Sequence, residues 1–223
     1  IDIALELMPV SFRSVAKTLR TAVTRHNPDL LIMLGQAGSS DKVRLERIAI
    51  NMMDARNADN DGFIPDEEPI NTETPVALFT NTDIKQLYNA IVEQSIPVKI
   101  SNSCGLYVCN RIYYEALMLC NEINKMKAIF VHLPLYDGQR DANENQHTLP
   151  LDKMEKALSR FYEIREKYKE CKFEKQLHYW LWNAITNSII ITEKAMLKFY
   201  EGKIEDSKTI ASILAYYKKY CMK

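Results

Sequence analysis

The chain has 223 residues, 47% hydrophobic and 26% charged, and its 29 basic and 29 acidic side chains cancel to a formal charge of zero. That composition supplies one sizeable core, and the neutral balance argues against nucleic acid or a membrane surface as partner. Five cysteines, at 104, 109, 120, 171 and 221, form no Cys-x-x-Cys pair, so neither a disulfide framework nor a zinc ribbon is indicated and a reducing compartment, the cytoplasm, is expected.

Ile1 to Val10 mixes apolar residues and carboxylates and reads as a strand entering a helix. Starting already extended and without methionine, it suggests a further segment upstream. Ser11 is the expected N-cap of a helix carrying Phe12, Val15, Ala16, Leu19 and Val23 on one face. Asn27-Pro28-Asp29 ends that helix, and Leu30 to Leu34 reads as a strand buried on both faces, as in parallel sheets. The loop Gly35-Gln36-Ala37-Gly38-Ser39-Ser40 follows at the strand's carboxyl end, where open α/β sheets bind ligands.

Val43 to Met53 alternates as a single strand, with Glu46 as an acidic residue inside an apolar segment. An ionised side chain there is costly unless paired. Asp54 to Pro69 is a long polar loop; its Asp59-Asn60-Asp61-Gly62 has half the look of an EF-hand but no glutamate at the twelfth position, so no metal site is expected. Thr82 to Gln94 is a helix with Ile84, Leu87, Tyr88 and Ile91 inward, leading to a strand at 97–101.

Ser101, Asn102, Ser103 and Gly105 then supply turn chemistry, and Val108, Ile112, Tyr113, Leu117 and Cys120 recur at helical spacing. Cys109 thus falls in the first turn of a helix, where unpaired N–H groups and the helix dipole are expected to lower a thiol's pKa. Taken alone, it reads more readily as a small core residue, since a free cysteine is usually buried and inert. Ala128 to Pro134 is another buried strand, placing His132 near its carboxyl end and on the same sheet edge as the Gly35 and Cys109 turns. Tyr136 to Leu149 has the length of a lid, and Leu151 to Tyr168 is a helix with Met154, Leu158, Phe161 and Ile164 inward.

The alternation of strands and helices predicts an α/β fold, three-layer α/β/α around a mainly parallel, twisted sheet. Beyond about residue 167 only helical patterns follow, giving an α/β domain over 1–167 and a helical extension over 168–223. Residues 151–223 carry a net +5, spread at helical intervals as on a solvated face. No apolar run is long enough to span a bilayer; Ile189 to Ile191 is only a triplet. Cys109 as nucleophile, His132 as base and Glu46 as the acid that orients the imidazole form a possible constellation. His26, His147 and His178 read as surface or core histidines.

Gly35-Gln36-Ala37-Gly38 through Glu46-Arg47-Ile48-Ala49-Ile50-Asn51 resembles the glutamate signature of the type I pyroglutamyl peptidases, or pyrrolidone-carboxylate peptidases. Ser101 to Asn110 resembles that family's cysteine signature, and Phe130-Val131-His132-Leu133-Pro134 its histidine strand. Asp54-Ala55-Arg56 and Asp59-Asn60-Asp61-Gly62 match in order and spacing, so the resemblance runs from about residue 7 to 167. It implies a cysteine exopeptidase, an omega-peptidase, acting on peptides with an N-terminal pyroglutamate through a Cys109–His132–Glu46 triad. Arg56 would stabilise the oxyanion, and Gln36, Tyr107 and Val108 would line the lactam pocket. The resemblance further implies hydrolysis of an acyl-enzyme by water without a cofactor, and a homo-oligomer, dimer or tetramer.

The sequence departs from the family in three places. It starts after the family's Gly-Phe-x-Pro-Phe-Gly-Gly loop, whose aromatics flank the pyroglutamyl ring. Arg44 stands where the family has Ser or Thr, and Cys104 stands where it has Ala. Cys104 is expected to be a packed side chain, with a redox cap on Cys109 as the minor reading. The alternative function is a catalytically impaired relative that binds partners through the helical extension. An unrelated α/β hydrolase is disfavoured because no Gly-x-Ser-x-Gly elbow is present.

Overall fold

In the computed structural model, residues 4–137 and 147–163 are described. Ile1 to Ile3, most of the expected lid, the end of the helix expected to reach Tyr168 and the whole 168–223 extension lie outside the described residues.

Helix α1 (Val15–His26) leads through Pro28 to strand β1 (Leu30–Gln36), followed by β2 (Val43–Glu46), β3 (Ile48–Ile50) and β4 (Ala77–Phe79). Helix α2 (Ile84–Val92), strand β5 (Val98–Ser101), helix α3 (Val108–Glu122), strand β6 (Lys127–Leu133) and helix α4 (Leu151–Glu163) complete the order. The main sheet runs β1-β6-β2-β5, with β1/β6 and β2/β5 parallel and β2/β6 antiparallel, while β3 and β4 form a separate antiparallel pair. The protein is therefore α/β with a mainly parallel, mixed sheet.

Period-two alternation in β6 sorts the core into two faces. Ala128 and Phe130 join one cluster with Leu19 and Val23 of α1 and Ile112, Tyr113 and Leu117 of α3. Ile129, Val131 and Leu133, equally buried, point to the opposite face. On that side α2 offers Ile84, Leu87 and Ile91 and α4 offers Met154, Ala157, Leu158 and Phe161. Near-continuous burial along β6 is what a strand covered on both faces requires. Helix α3 is buried along most of its length, from Val108 to Cys120, so it serves as the central helix on its face of the sheet.

Several local expectations are corrected. The described part of Ile1 to Val10 forms neither strand nor helix. Helix α1 starts at Val15, and the Ser11 hydroxyl instead accepts from the Ser14 N–H at 3.1 Å. Strand β1 buries only Met33, because β6 is its only strand neighbour among the described residues. Val43 to Met53 is not one strand: Arg47 donates its N–H to the Ser101 carbonyl while its own carbonyl accepts from Thr80 N–H, so the chain changes partners there and β3 leaves for β4. That exchange also explains β4, which sequence periodicity missed in a three-residue segment.

The antiparallel β2/β6 pairing reverses the strand direction halfway across the sheet. Gly35 lies beside His132 at the carboxyl end of β6, as expected, but β5 runs the other way and its last residue, Ser101, lies level with Glu46 and Phe130. The Cys109 turn therefore does not leave from the same edge as the Gly35 turn. Cys109 instead lies at the start of α3, the helix that packs on the sheet's face.

Candidate active site

Glu46 ends β2 opposite Phe130, and Arg44, two residues earlier on the same face, stands opposite His132. The parity that buries Phe130 beneath α3 points Glu46 and His132 the same way. Glu46 is wholly buried and His132 is 6% exposed. The imidazole Nδ1 lies 2.8 Å from Glu46 Oε1. A carboxylate only accepts, so Nδ1 carries the proton and Nε2 is left with its lone pair. The Phe130 ring lies against the imidazole, with centroids 4.7 Å apart. On the neighbouring strand only a glycine fits: a Cβ on Gly35 would stand 2.9 Å from the Phe130 ring and 3.2 Å from His132 Cδ2.

Cys109 occupies the second position of α3, half-buried. The turn before it uses Gly105 at a φ of 83°, a conformation glycine reaches without strain. Tyr107 is the N-cap residue, and its carbonyl accepts from the N–H groups of Asn110 and Arg111. The N–H groups of Val108 and Cys109 meet no backbone acceptor among the described residues, as first-turn amides generally do not. They are donors held ready for an anion. Asn110, buried beside the thiol, accepts from Ile50 N–H at 2.9 Å and donates to the carbonyls of Ile50 at 2.7 Å and Met52 at 2.9 Å. Tyr113 donates its hydroxyl to the Glu46 carbonyl at 2.8 Å. One helix therefore bonds both to the segment after Glu46 and to Glu46 itself.

The expectation of an acidic thiol is overturned. Burial first, and then the charge of Glu46, push the Cys109 thiol up to about 11, against the opposing pull of its own backbone N–H. Burial likewise raises the Cys104 thiol, with the Glu46 and Cys109 charges adding to it. Cys104 is packed in the core and directs its sulfur to Asn110 Oδ1 at 3.6 Å.

The remaining expected residues are placed less centrally. Gln36 ends β1 beside Leu133. The Tyr107 hydroxyl donates to the Ala58 carbonyl at 2.9 Å, and its ring meets Phe12 edge-on at 5.2 Å. The Val108 side chain belongs to the core, so its main chain is what it can present to a ligand. Arg56 is exposed in the loop after β3 and makes no hydrogen bond or ion pair with the described residues. Asp59, in the EF-hand-like stretch, instead accepts backbone N–H groups from Phe12, Asp61 and Phe63. Arg44 was legible only as a departure from a pattern, yet its Nε stands 3.1 Å from the same Glu46 Oε1 that faces His132.

A buried carboxylate–imidazole pair on the sheet face, under a helix that starts with a cysteine and two open amides, has the groups that acyl transfer through sulfur requires. The class so defined is an α/β hydrolytic fold with thiol chemistry. Residues 1–165 match the family described as pyroglutamyl peptidase, and the chain belongs to that family. It is 38% identical over 148 residues to the pyrrolidone-carboxylate peptidase of Thermosipho africanus, spanning 66% of this chain and 72% of that protein. With the corresponding protein of Bacillus subtilis it shares 35% over 157 residues, 70% of this chain and 73% of the relative. Among solved structures, pyroglutamyl peptidase I from Bacillus amyloliquefaciens superposes with a TM-score of 0.66 at 32% identity, covering 69% of this chain and 73% of that one. A pyrrolidone carboxyl peptidase variant from Pyrococcus furiosus gives 0.67 at 30%, covering 70% and 78%.

Proposed function

We propose that this protein is a cysteine omega-peptidase that hydrolyses the amide bond after an N-terminal pyroglutamyl residue. Cys109 is the nucleophile, His132 the general base and acid, and Glu46 the carboxylate that orients the imidazole. Arg56 and the amides of Val108 and Cys109 are the oxyanion donors, and Gln36, Tyr107 and Val108 line the lactam pocket. The observation that carries this reading is the buried 2.8 Å Glu46–His132 pair on the sheet face covered by the helix of Cys109, in a chain of this family.

A thiol held at about 11 rests protonated at neutral pH, so the proton must leave sulfur as attack begins. Nε2 of His132 takes it while Sγ adds to the amide carbon, and the negative charge develops on the carbonyl oxygen. A preorganised donor to that oxygen is worth about 3 kcal/mol. His132 then returns the proton to the departing amine, the C–N bond breaks and a pyroglutamyl thioester remains. Water, deprotonated by the same nitrogen, cleaves the thioester, releasing pyroglutamate and restoring the thiol. Protein groups and water suffice for each step, so no cofactor is called for.

The test is release of a fluorescent amine from a pyroglutamyl amide, repeated with Cys109→Ala. Turnover by the parent and none by the variant is the expected result. Turnover that survives in Cys109→Ala overturns the assignment, and a full-length parent without turnover favours a binding relative. Among the described residues no helix is long and apolar enough to cross a membrane. The free cysteines among the described residues, Cys104, Cys109 and Cys120, support a reducing, cytoplasmic setting. A dimer or tetramer would cover exposed apolar side chains such as Val76 and Phe79, and light scattering of the purified protein measures it.

A further inference from the structure

Arg44 makes more connections than a strand residue at the rim of a site needs. Its Nε lies 3.1 Å from Glu46 Oε1, the oxygen that also faces His132 Nδ1. Its Nη2 donates to the Ser101 hydroxyl at 3.0 Å and to the Ser103 carbonyl at 2.8 Å. The Ser101 hydroxyl itself donates to the Ser103 carbonyl at 3.0 Å. The guanidinium thus spans from the buried carboxylate to the turn that leads into Cys104, Gly105 and the start of α3. Two atoms in this group are buried without a hydrogen-bond partner, Arg44 Nε and Glu46 Oε2. The Arg44–Glu46 contact is therefore a close charge pair rather than an aligned hydrogen bond. Arginine suits the place because its planar fork can face a carboxylate while its other nitrogens hold backbone and hydroxyl acceptors.

We propose that Arg44 is a positioning residue, which holds the buried Glu46 carboxylate in register with His132 and ties it to the turn that carries the Cys109 helix. A wholly buried carboxylate with one neutral imidazole as its partner is poorly compensated. Arg44 supplies the missing charge at the same oxygen, and its tether to Ser101 and Ser103 transmits that placement to the nucleophile's side of the site. Arg44 need touch neither the substrate nor a reacting atom for this.

The consequence for turnover rests on the peptidase reading above, so the test has one arm that needs no activity. In a double-mutant cycle of Arg44→Met and Glu46→Gln, read by denaturant unfolding, the expected result is strong coupling. Loss of Arg44 raises the unfolding equilibrium constant by about tenfold more when Glu46 is present than when it is Gln. In the activity arm, Arg44→Met is expected to lower kcat by about ten- to a hundredfold with little change in KM. Arg44→Lys recovers part of that loss, and free guanidinium ion restores turnover in Arg44→Ala. Additive unfolding free energies overturn the proposal, and so does an Arg44→Met enzyme with parental kcat. Strong coupling in a parent without turnover supports Arg44 as the holder of Glu46 and places the failure with the peptidase reading.

Discussion

Cys109 brings two opposing effects to one sulfur. A helix start favours the thiolate, but burial and the Glu46 charge outweigh it and push the thiol up to about 11. At pH 7 such a group is thiolate to only about one part in ten thousand, against a few per cent for a free cysteine. Iodoacetamide should therefore alkylate Cys109 in the resting protein more slowly than it alkylates free cysteine. The rate should climb close to tenfold per pH unit from 7 to 10, followed by peptide mass mapping of the modified residue. A rate that levels off below pH 8 would show a pre-formed thiolate and sink this account. Gly35 sets a second condition at the same scale. A methyl group there meets the Phe130 ring at 2.9 Å and His132 Cδ2 at 3.2 Å, so Gly35→Ala must displace the imidazole or the ring that backs it. Overpacking of this kind costs about 1–3 kcal/mol. The expected outcome is a lowered melting temperature together with a loss of kcat larger than the change in KM.

Among the elements, α3 determines whether the parts meet, and Asn110 fastens it. Its side chain satisfies one N–H and two carbonyls of the segment from Ile50 to Met52, at the end of β3. Asn110→Ala leaves the Ile50 N–H and the Met52 carbonyl without their partner, each costing about 1–3 kcal/mol, while the Ile50 carbonyl keeps the Met52 N–H. Denaturant unfolding should show a loss of several kcal/mol, and kcat should fall because the first turn of α3 is no longer pinned. Asn110→Asp should be no rescue, since it brings acceptors up to the two carbonyls. The sequence made α2, β5, α3, β6 and the start of α4 legible because their apolar periods are long or uninterrupted. Glu46 stood out as an acid in an apolar run and His132 as a polar residue ending a buried strand. The break at Arg47 was not legible: alternation continues across it, and only the partner exchange between Ser101 and Thr80 shows it. The reversal between β2 and β6 was hidden for a similar reason, since direction is a property of pairing and leaves no mark on periodicity. Arg44 could have been found by asking what neutralises Glu46, two residues along the same strand face.

At the scale of the molecule, the groups whose protonation folding alters set limits on stability at both ends of the pH scale. Burial raises the Asp59 carboxyl, but the N–H groups of Phe12, Phe63 and Asp61, with the Arg13 charge, outweigh it and leave it below the usual range. The unfolded chain then takes up that proton first as pH falls, so the stability that Asp59 gives is present above about pH 4 and lost below it. At the alkaline end, burial pushes both Cys109 and Cys120 up to about 11 and raises Cys104 and Tyr113 as well. In the unfolded chain these thiols ionise near pH 8.5. Above that pH the unfolded state has lost protons that the folded state keeps, so stability is full below about pH 8.5 and falls as pH rises toward 11. Urea unfolding at pH 7, 9 and 10.5 should show a midpoint that drops progressively across this series. Cys120, near the end of α3, packs in the core with no part in the proposed chemistry, so Cys120→Ala removes one titrating group and leaves the active site intact. Its midpoint should start lower at pH 7, for the packing lost, and then decline less steeply than the parent's. Parallel declines would show that the alkaline loss does not arise at Cys120, because a group that no longer exists cannot hold back a proton.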